Sequence, residues 1–342
     1  MASPAGGNTT YIPTASTGLI VGYSRNPKKF AVNKLTKMIP TKKQSGYFWS
    51  MRPQEMARIL SRDALRWADG AARVVSEFNK DEWNVTAYQT DRITRTTPVG
   101  YLATQQAEIP VKEAQSQNLA ANIMTVITKD FYTLLANNSY ISGNSNTATG
   151  FGGGVWASAT TSNRNIQKSL YGVGQAIEKA TVGAVKYSDL TLVLSPTIAQ
   201  IVAASQEFAE GIIQSPFAVD LEKGNAEWNM AYGIPNKLYG MNVIVDQTVQ
   251  VTTNQNSAGT ATPSYIGSAQ YAYVIARPGD LVEMSGVGSD FSTVANFVYD
   301  GEEMVVEEWD EPFNKRTILS VVYNNQMKVV ANETAGKIDV TA

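Results

Sequence analysis

The stretch that most limits how this chain can fold is PVKEAQSQNLAANIMTVITKDFYTLLANN, residues 110–138. Pro110 fixes φ at a helix start, and Glu113 falls in the first turn, where negative charge favours the positive end of the helix dipole. Leu119, Ile123, Ile127, Phe131 and Leu134 recur every three or four residues and make one apolar stripe. Gln117, Asn122 and Lys129 fall off that stripe, with Asp130 near its edge. Asn137 and Asn138 open a Ser/Gly/Asn-rich run that stops the helix. Such a helix is about 40 Å long, and its apolar side calls for a sheet to pack on.

A chain of 342 residues, 43% hydrophobic, suggests about two domains and can bury a substantial core. A net charge of −2 excludes a strongly basic chain that coats nucleic acid. The charges are nonetheless sorted along the chain. Arg25, Lys28, Lys29, Lys34, Lys37, Lys42 and Lys43 precede the first acid, Glu55. Asp300, Glu302, Glu303, Glu307, Glu308, Asp310 and Glu311 form an acidic block with no base inside it. Without Cys or His there are no disulfides, thiolate nucleophiles, Cys/His zinc sites or imidazole chemistry. The first residues lack the charged and apolar segments of a signal peptide, and no apolar run reaches the ~18 residues of a membrane span. The expectation is a soluble protein made inside the cell, with no membrane partner.

Residues 1–45 read as an extended arm whose spaced apolar residues Phe30, Val32, Leu35, Met38 and Ile39 are too few for a core. They suit a segment ordered by contact with a partner. SGYFWSM (45–51) and EWNVTAYQTDRITRT (82–96) read as strands joined by a long charged excursion, a projecting hairpin. It carries Trp49, Trp67 and Trp83, which a thin hairpin cannot bury, so a second surface must cover them. After the long helix, residues 137–163 read as a linker; their GFGGG lacks the Lys-Ser/Thr of a phosphate loop. Residues 165–181 read as a helix, 190–196 as a buried strand and 197–212 as a second helix. Strands at 238–249 and 269–280 complete a compact α/β unit, with a polar surface insertion at 254–264. The end is β again: FVYDGEEMVVEEWD, a turn at EPFNKR, then TILSVVYNN and QMKVVAN. A β tail that pairs back with the early helix makes a discontinuous domain.

The acidic block could supply a glycosidase-like carboxylate pair, a divalent-metal site, or a strand that receives a basic arm, its own or a neighbour's. No Gly-X-Ser-X-Gly elbow occurs. No motif specifies catalysis or a cofactor.

The serial order of these parts resembles the major capsid proteins of tailed double-stranded DNA bacteriophages, of the Hong Kong 97-type fold. It is carried by KQSGYFWSM, WNVTAYQTDRITRTTP, TLVLSPTIAQIVAASQEF, LYGMNVIVD and DGEEMVVEEWDEPFNKRTILSVVYNNQMKVV, from Lys42 to Val330. The resemblance implies an α+β chain. Residues 1–45 would be the N-terminal arm and 46–96 the E-loop. Residues 97–162 would begin the P domain with its spine helix at 110–138; 163–285 would be the α/β A domain, and 286–342 the rest of the P domain. It implies hexamers and pentamers in an icosahedral shell around the genome, with Phe48, Trp49, Trp67 and Trp83 touching the next subunit. The basic arm (Lys28, Lys29, Lys34, Lys37, Lys42, Lys43) would complement the acidic strand (Glu302, Glu303, Glu307, Glu308, Asp310) and so register subunits. Expected partners are a portal, a separate scaffolding protein, a decoration protein and non-specifically held double-stranded DNA, in a virion assembled in the host cytoplasm. An encapsulin-type nanocompartment shares the fold. A carboxylate-dependent hydrolase is the rival from another class.

Overall fold

The computed structural model describes residues 26–51, 83–106, 110–213, 232–251, 262–278 and 292–342. In chain order a single 3₁₀ turn (Pro27–Lys29) leads to helix α1 (Val32–Leu35) and strands β1 (Thr36–Thr41), β2 (Ser45–Met51), β3 (Trp83–Gln89) and β4 (Asp91–Gly100). Helices α2 (Tyr101–Gln106) and α3 (Val111–Ala136) follow, then β5 (Ser145–Thr147) and α4 (Ile166–Ala180). Next come β6 (Thr191–Leu194), α5 (Pro196–Ala203), α6 (Gln206–Ile213), β7 (Lys237–Leu238), β8 (Met241–Val245), β9 (Val249–Val251), β10 (Pro263–Tyr265) and β11 (Tyr271–Ile275). Strands β12 (Val294–Tyr299), β13 (Val305–Glu311), β14 (Arg316–Val329) and β15 (Gly336–Asp339) end the chain.

The long helix α3 lies on a sheet built around β14. One edge of β14 pairs with β4, from Arg316↔Gly100 to Asn325↔Asp91. Its other edge takes β13 and then β12 in succession, and β1 adds to β12 in parallel. Leu119, Ile123, Ile127 and Phe131 of the expected stripe are buried against this sheet, joined by Met124 and Leu135, while Leu134 is only half-buried. The two tail strands read from sequence are one strand. The polar residues between them are each engaged: Asn324 Nδ2 donates to Glu302 (2.7 Å), Asn325 Nδ2 donates to Asn296 (2.9 Å), and Gln326 Oε1 accepts the Gln89 amide (2.8 Å).

Two expectations for the N-terminal side are corrected. The arm's anchors Phe30, Val32 and Leu35 are buried in this chain's own core beside α3, and 36–41 is a strand of the main sheet rather than extended arm. The three residues are too few to make a core but enough to close one. Residues 82–96 are likewise two strands. At buried Thr90, whose amide donates to Gln44 O (2.7 Å), the chain leaves the hairpin and β4 enters the main sheet.

The second sheet has the order β5-β15-β11-β6-β8-β7. Its central strands are apolar on both faces because each face meets a different core. Leu192, Leu194, Ala272 and Val274 point to the core under α4 and α5; Val193, Tyr273 and Ile275 point to the core of α3. The sheet is thus a wall shared by the two cores. The tail does not stay in the first sheet either: β15 pairs with β11 and β5 in the second.

The expected linker at 137–163 is mostly packed structure. Trp156 is fully buried, and its Nε1 donates to Ser169 Oγ (3.2 Å). The GFGGG run is there for close approach: a Cβ at Gly154 would stand 1.7 Å from Asn163 O, and one at Gly153 would stand 1.9 Å from Ser169 Oγ. The single helix expected over 197–212 breaks at Ser205, whose Oγ accepts the Phe208 amide (3.3 Å) and starts α6. From α6, Glu207 accepts the amides of Ile166 (2.7 Å) and Gln167 (3.1 Å) at the start of α4, where Asn165 gives no side-chain cap. Glu207→Ala is therefore expected to cost about 1–2 kcal/mol in urea unfolding, the usual range for a lost cap with its dipole interaction.

Candidate intersubunit surface

Strands β2 and β3 pair antiparallel from Ser45↔Gln89 to Met51↔Trp83. Alternate side chains of a strand face opposite ways, which gives this hairpin two different faces. One is docked. Tyr88 stacks on Phe297 of β12 with centroids 4.4 Å apart, and Phe48 stacks on the same ring at 5.5 Å. The other presents Tyr47 (72% exposed), Trp49 (66%) and Val85 to solvent. Phe48, expected to touch another subunit, is thus committed to its own chain; Trp49, its neighbour in sequence, is not. Trp83 sits opposite Met51 at the end of the paired segment, and Trp67 lies outside the described residues. Sequence reasoning did not single out Tyr47, Val85 or Tyr88. The alternation of SGYFWSM against WNVTAYQ carried the signal, since it places Tyr47, Trp49, Val85 and Ala87 on one face.

The acidic block occupies β13 and the turn before it. Every residue from Val305 to Asp310 is exposed, and the edge of β13 away from β14 pairs with no strand among the described residues. Ion pairs join it to Arg92, Lys112 and Arg316. Glu302 binds Arg92, Glu308 binds Lys112, and Glu311 accepts from Arg316 Nε at 2.7 Å. Asp310 accepts from Thr317 Oγ1 (2.7 Å). Hydrogen bonds from Asn314 and Arg316 hold the Glu311 carboxyl below its ordinary range, and the bond to Glu308 raises the Lys112 ammonium. Pairs this exposed add little stability; they fix where the charge sits. Glu303 and Glu307 are exposed. Glu307 and Glu308 point to opposite faces of the strand, and Glu308 is occupied by Lys112, so the two do not form a converging carboxylate pair. Among the described residues no group of three or more Asp/Glu could hold a metal ion.

Of the arm's bases, Lys28 and Lys29 lie on the 3₁₀ turn, Lys34 on α1 and Lys37 on β1; Lys42 and Lys43 form the bend before β2. Lys37 is half-buried and the other five are exposed. At the far tip of the β13–β14 turn Phe313 is 98% exposed, with Trp309 and Val306 nearby in sequence also exposed. No helix among the described residues is long and apolar enough to cross a membrane.

No protein-family model matches the sequence, and neither does any curated protein. Solved structures do match in fold. A phage-related protein from Bordetella bronchiseptica aligns with a TM-score of 0.58 at 11% identity, over 90% of each chain. The mature capsid of bacteriophage PhiM1 gives 0.57 at 11% identity, over 94% of this chain and 89% of that one. An encapsulin complex from Synechococcus elongatus gives 0.51 at 9% identity, over 95% and 93%. These matches are in fold, with a long helix on a mixed sheet, a projecting hairpin and an α/β unit. This chain has the Hong Kong 97-type fold.

Proposed function

We propose that the chain is a major capsid protein, assembling as hexamers and pentamers into an icosahedral shell around the double-stranded DNA of a tailed phage. The observation that carries the reading is the hairpin β2–β3. It is fixed to the chain's own sheet through Phe48 and Tyr88, yet it leaves Tyr47, Trp49 and Val85 uncovered. A rigidly held apolar face is suited to a second copy, because little ordering entropy opposes its docking. In this reading Trp49 and the remaining E-loop tryptophans contact the next subunit, and α3 with the β14 sheet forms the P domain. The β6–β11 sheet with α4 and α5 forms the A domain. The acidic edge strand β13 faces a neighbour's bases, which supports specificity more than affinity.

A portal, a scaffolding protein and a decoration protein are the further partners such a virion would use, with assembly in the host cytoplasm. Sedimentation of the purified chain tests the proposal: shells or capsomers support it, and a monomer at micromolar concentration overturns it. The likeness to an encapsulin complex favours a second reading, a nanocompartment that holds proteins. Particles isolated from the natural source decide between them by content, nuclease-protected duplex DNA for the first and a defined enzyme for the second.

A further inference from the structure

We infer that the hollow between the arm's first turns and strand β8 is a binding site for the phosphodiester backbone of nucleic acid. The inference rests on the shell reading only for the source of the phosphate, the enclosed duplex. The hollow is about 410 Å³ in volume and is lined by Lys29 and Lys34 from one side, and by Asn236, Asn242 and Arg277 from the other. Lys29 is set by the turn Pro27–Lys29, which Asn26 caps through its side chain (2.9 Å to the Lys28 amide). Lys34 is set by α1, whose Val32 and Leu35 are buried. Phe30, buried between them, holds this segment against the body of the protein.

Three cationic residues and two amide residues from distant parts of the sequence therefore line the hollow, and among the described residues no carboxylate does. Arg277 has an interaction of its own and serves here as wall; the argument rests on the two lysines. Cations supported by amide donors are what a phosphate backbone binds. Asp246 lines an adjoining hollow of about 420 Å³ that also borders on Lys29. Its Oδ1 is taken by the amide and hydroxyl of Thr248 (3.0 and 2.6 Å), while its buried Oδ2 has no hydrogen-bond partner among the described residues. An acidic peptide is the competing occupant. Within this chain Glu302, Glu308 and Glu311 of the acidic block pair with Arg92, Lys112 and Arg316, not with Lys29 or Lys34.

The test measures binding of the full-length protein to a labelled 20-base-pair duplex of arbitrary sequence, as a function of salt. Lys29→Gln/Lys34→Gln should weaken binding about tenfold at low salt and reduce the log–log salt slope by about two, the value for two lost phosphate contacts. The control Lys42→Gln/Lys43→Gln removes the same charge outside the hollow and should leave both quantities near wild type. Equal losses in the two pairs would overturn the site in favour of diffuse charge, and absence of wild-type binding would overturn it outright. So would retained duplex binding with lost binding of a glutamate-rich peptide, which assigns the hollow to a protein. Electron microscopy of the same variants keeps the questions apart. Normal shells with no effect on duplex binding sink this inference alone, whereas loss of the shell reading shows as absent particles in the wild type.

Discussion

Changing both Tyr47 and Trp49 to serine is expected to abolish shell formation while leaving the subunit folded. These side chains are 72% and 66% exposed in the single chain, so their loss removes almost no internal packing. Substitutions of that kind usually shift stability by less than about 0.5 kcal/mol. In an assembled particle each ring would be buried against another copy, worth on the order of 2 kcal/mol per side chain. Losing both at every contact raises the concentration needed for assembly by more than about a hundredfold. Thermal unfolding should therefore be nearly unchanged, while sedimentation shows only small species. Shells forming at the wild-type concentration would remove the hairpin from the interface. The neighbouring change Phe48→Ser provides the contrast. It strips one ring from the stack on Phe297 and should loosen the hairpin in the monomer as well.

Phe131→Ala should have the largest effect on stability, a loss of about 3–5 kcal/mol. Phe131 is fully buried near the C-terminal end of α3 and meets Tyr132 edge-on with centroids 5.4 Å apart. That loss is a large part of the roughly 5–15 kcal/mol that holds a typical domain. Because β6 and β11 present Val193, Tyr273 and Ile275 to this core and Leu192 and Val274 to the other, damage on one side reaches both. Hydrogen exchange should show the amides of α4, which lies in the other core, losing protection together with those of β14. Full protection of α4 in the variant would mean two independent domains instead of a shared wall.

Much of this architecture is legible from the sequence where a local pattern has one solution. The stripe of residues 119–131 specifies a helix on a sheet, and α4 follows from the periodicity of Ile166, Leu170, Val173 and Ile177. The serial order of parts then points to the fold. What escapes is set by distant partners. The run TLVL reads as buried, but nothing in it says that its two faces belong to two cores. GFGGG reads as part of a linker, yet a Cβ at Gly153 would meet Ser169 of α4 and one at Gly154 would meet the Asn163 carbonyl. Phe30, Val32 and Leu35 look like anchors for a partner; their partner is α3, about ninety residues along the chain. The acidic block reads as a complement to the arm because both are charged runs. Its answering cations are single residues, Arg92, Lys112 and Arg316, brought to it by pairing and packing. On the hairpin, the sequence calls for a cover over the aromatics, while strand alternation puts Phe48 against Phe297 and leaves Trp49 exposed.

The absence of cysteine makes the decisive measurement simple, since a single introduced thiol is the only one in the chain. Val85 lies beside Trp49 on the exposed face of the hairpin, directly opposite it in register. Val85→Cys should react with a maleimide rapidly in dissociated subunits and at least about tenfold more slowly in assembled particles, as the face is buried by another copy. Equal rates in the two states would show that this face stays open to water in the shell, and would contradict the account at its centre.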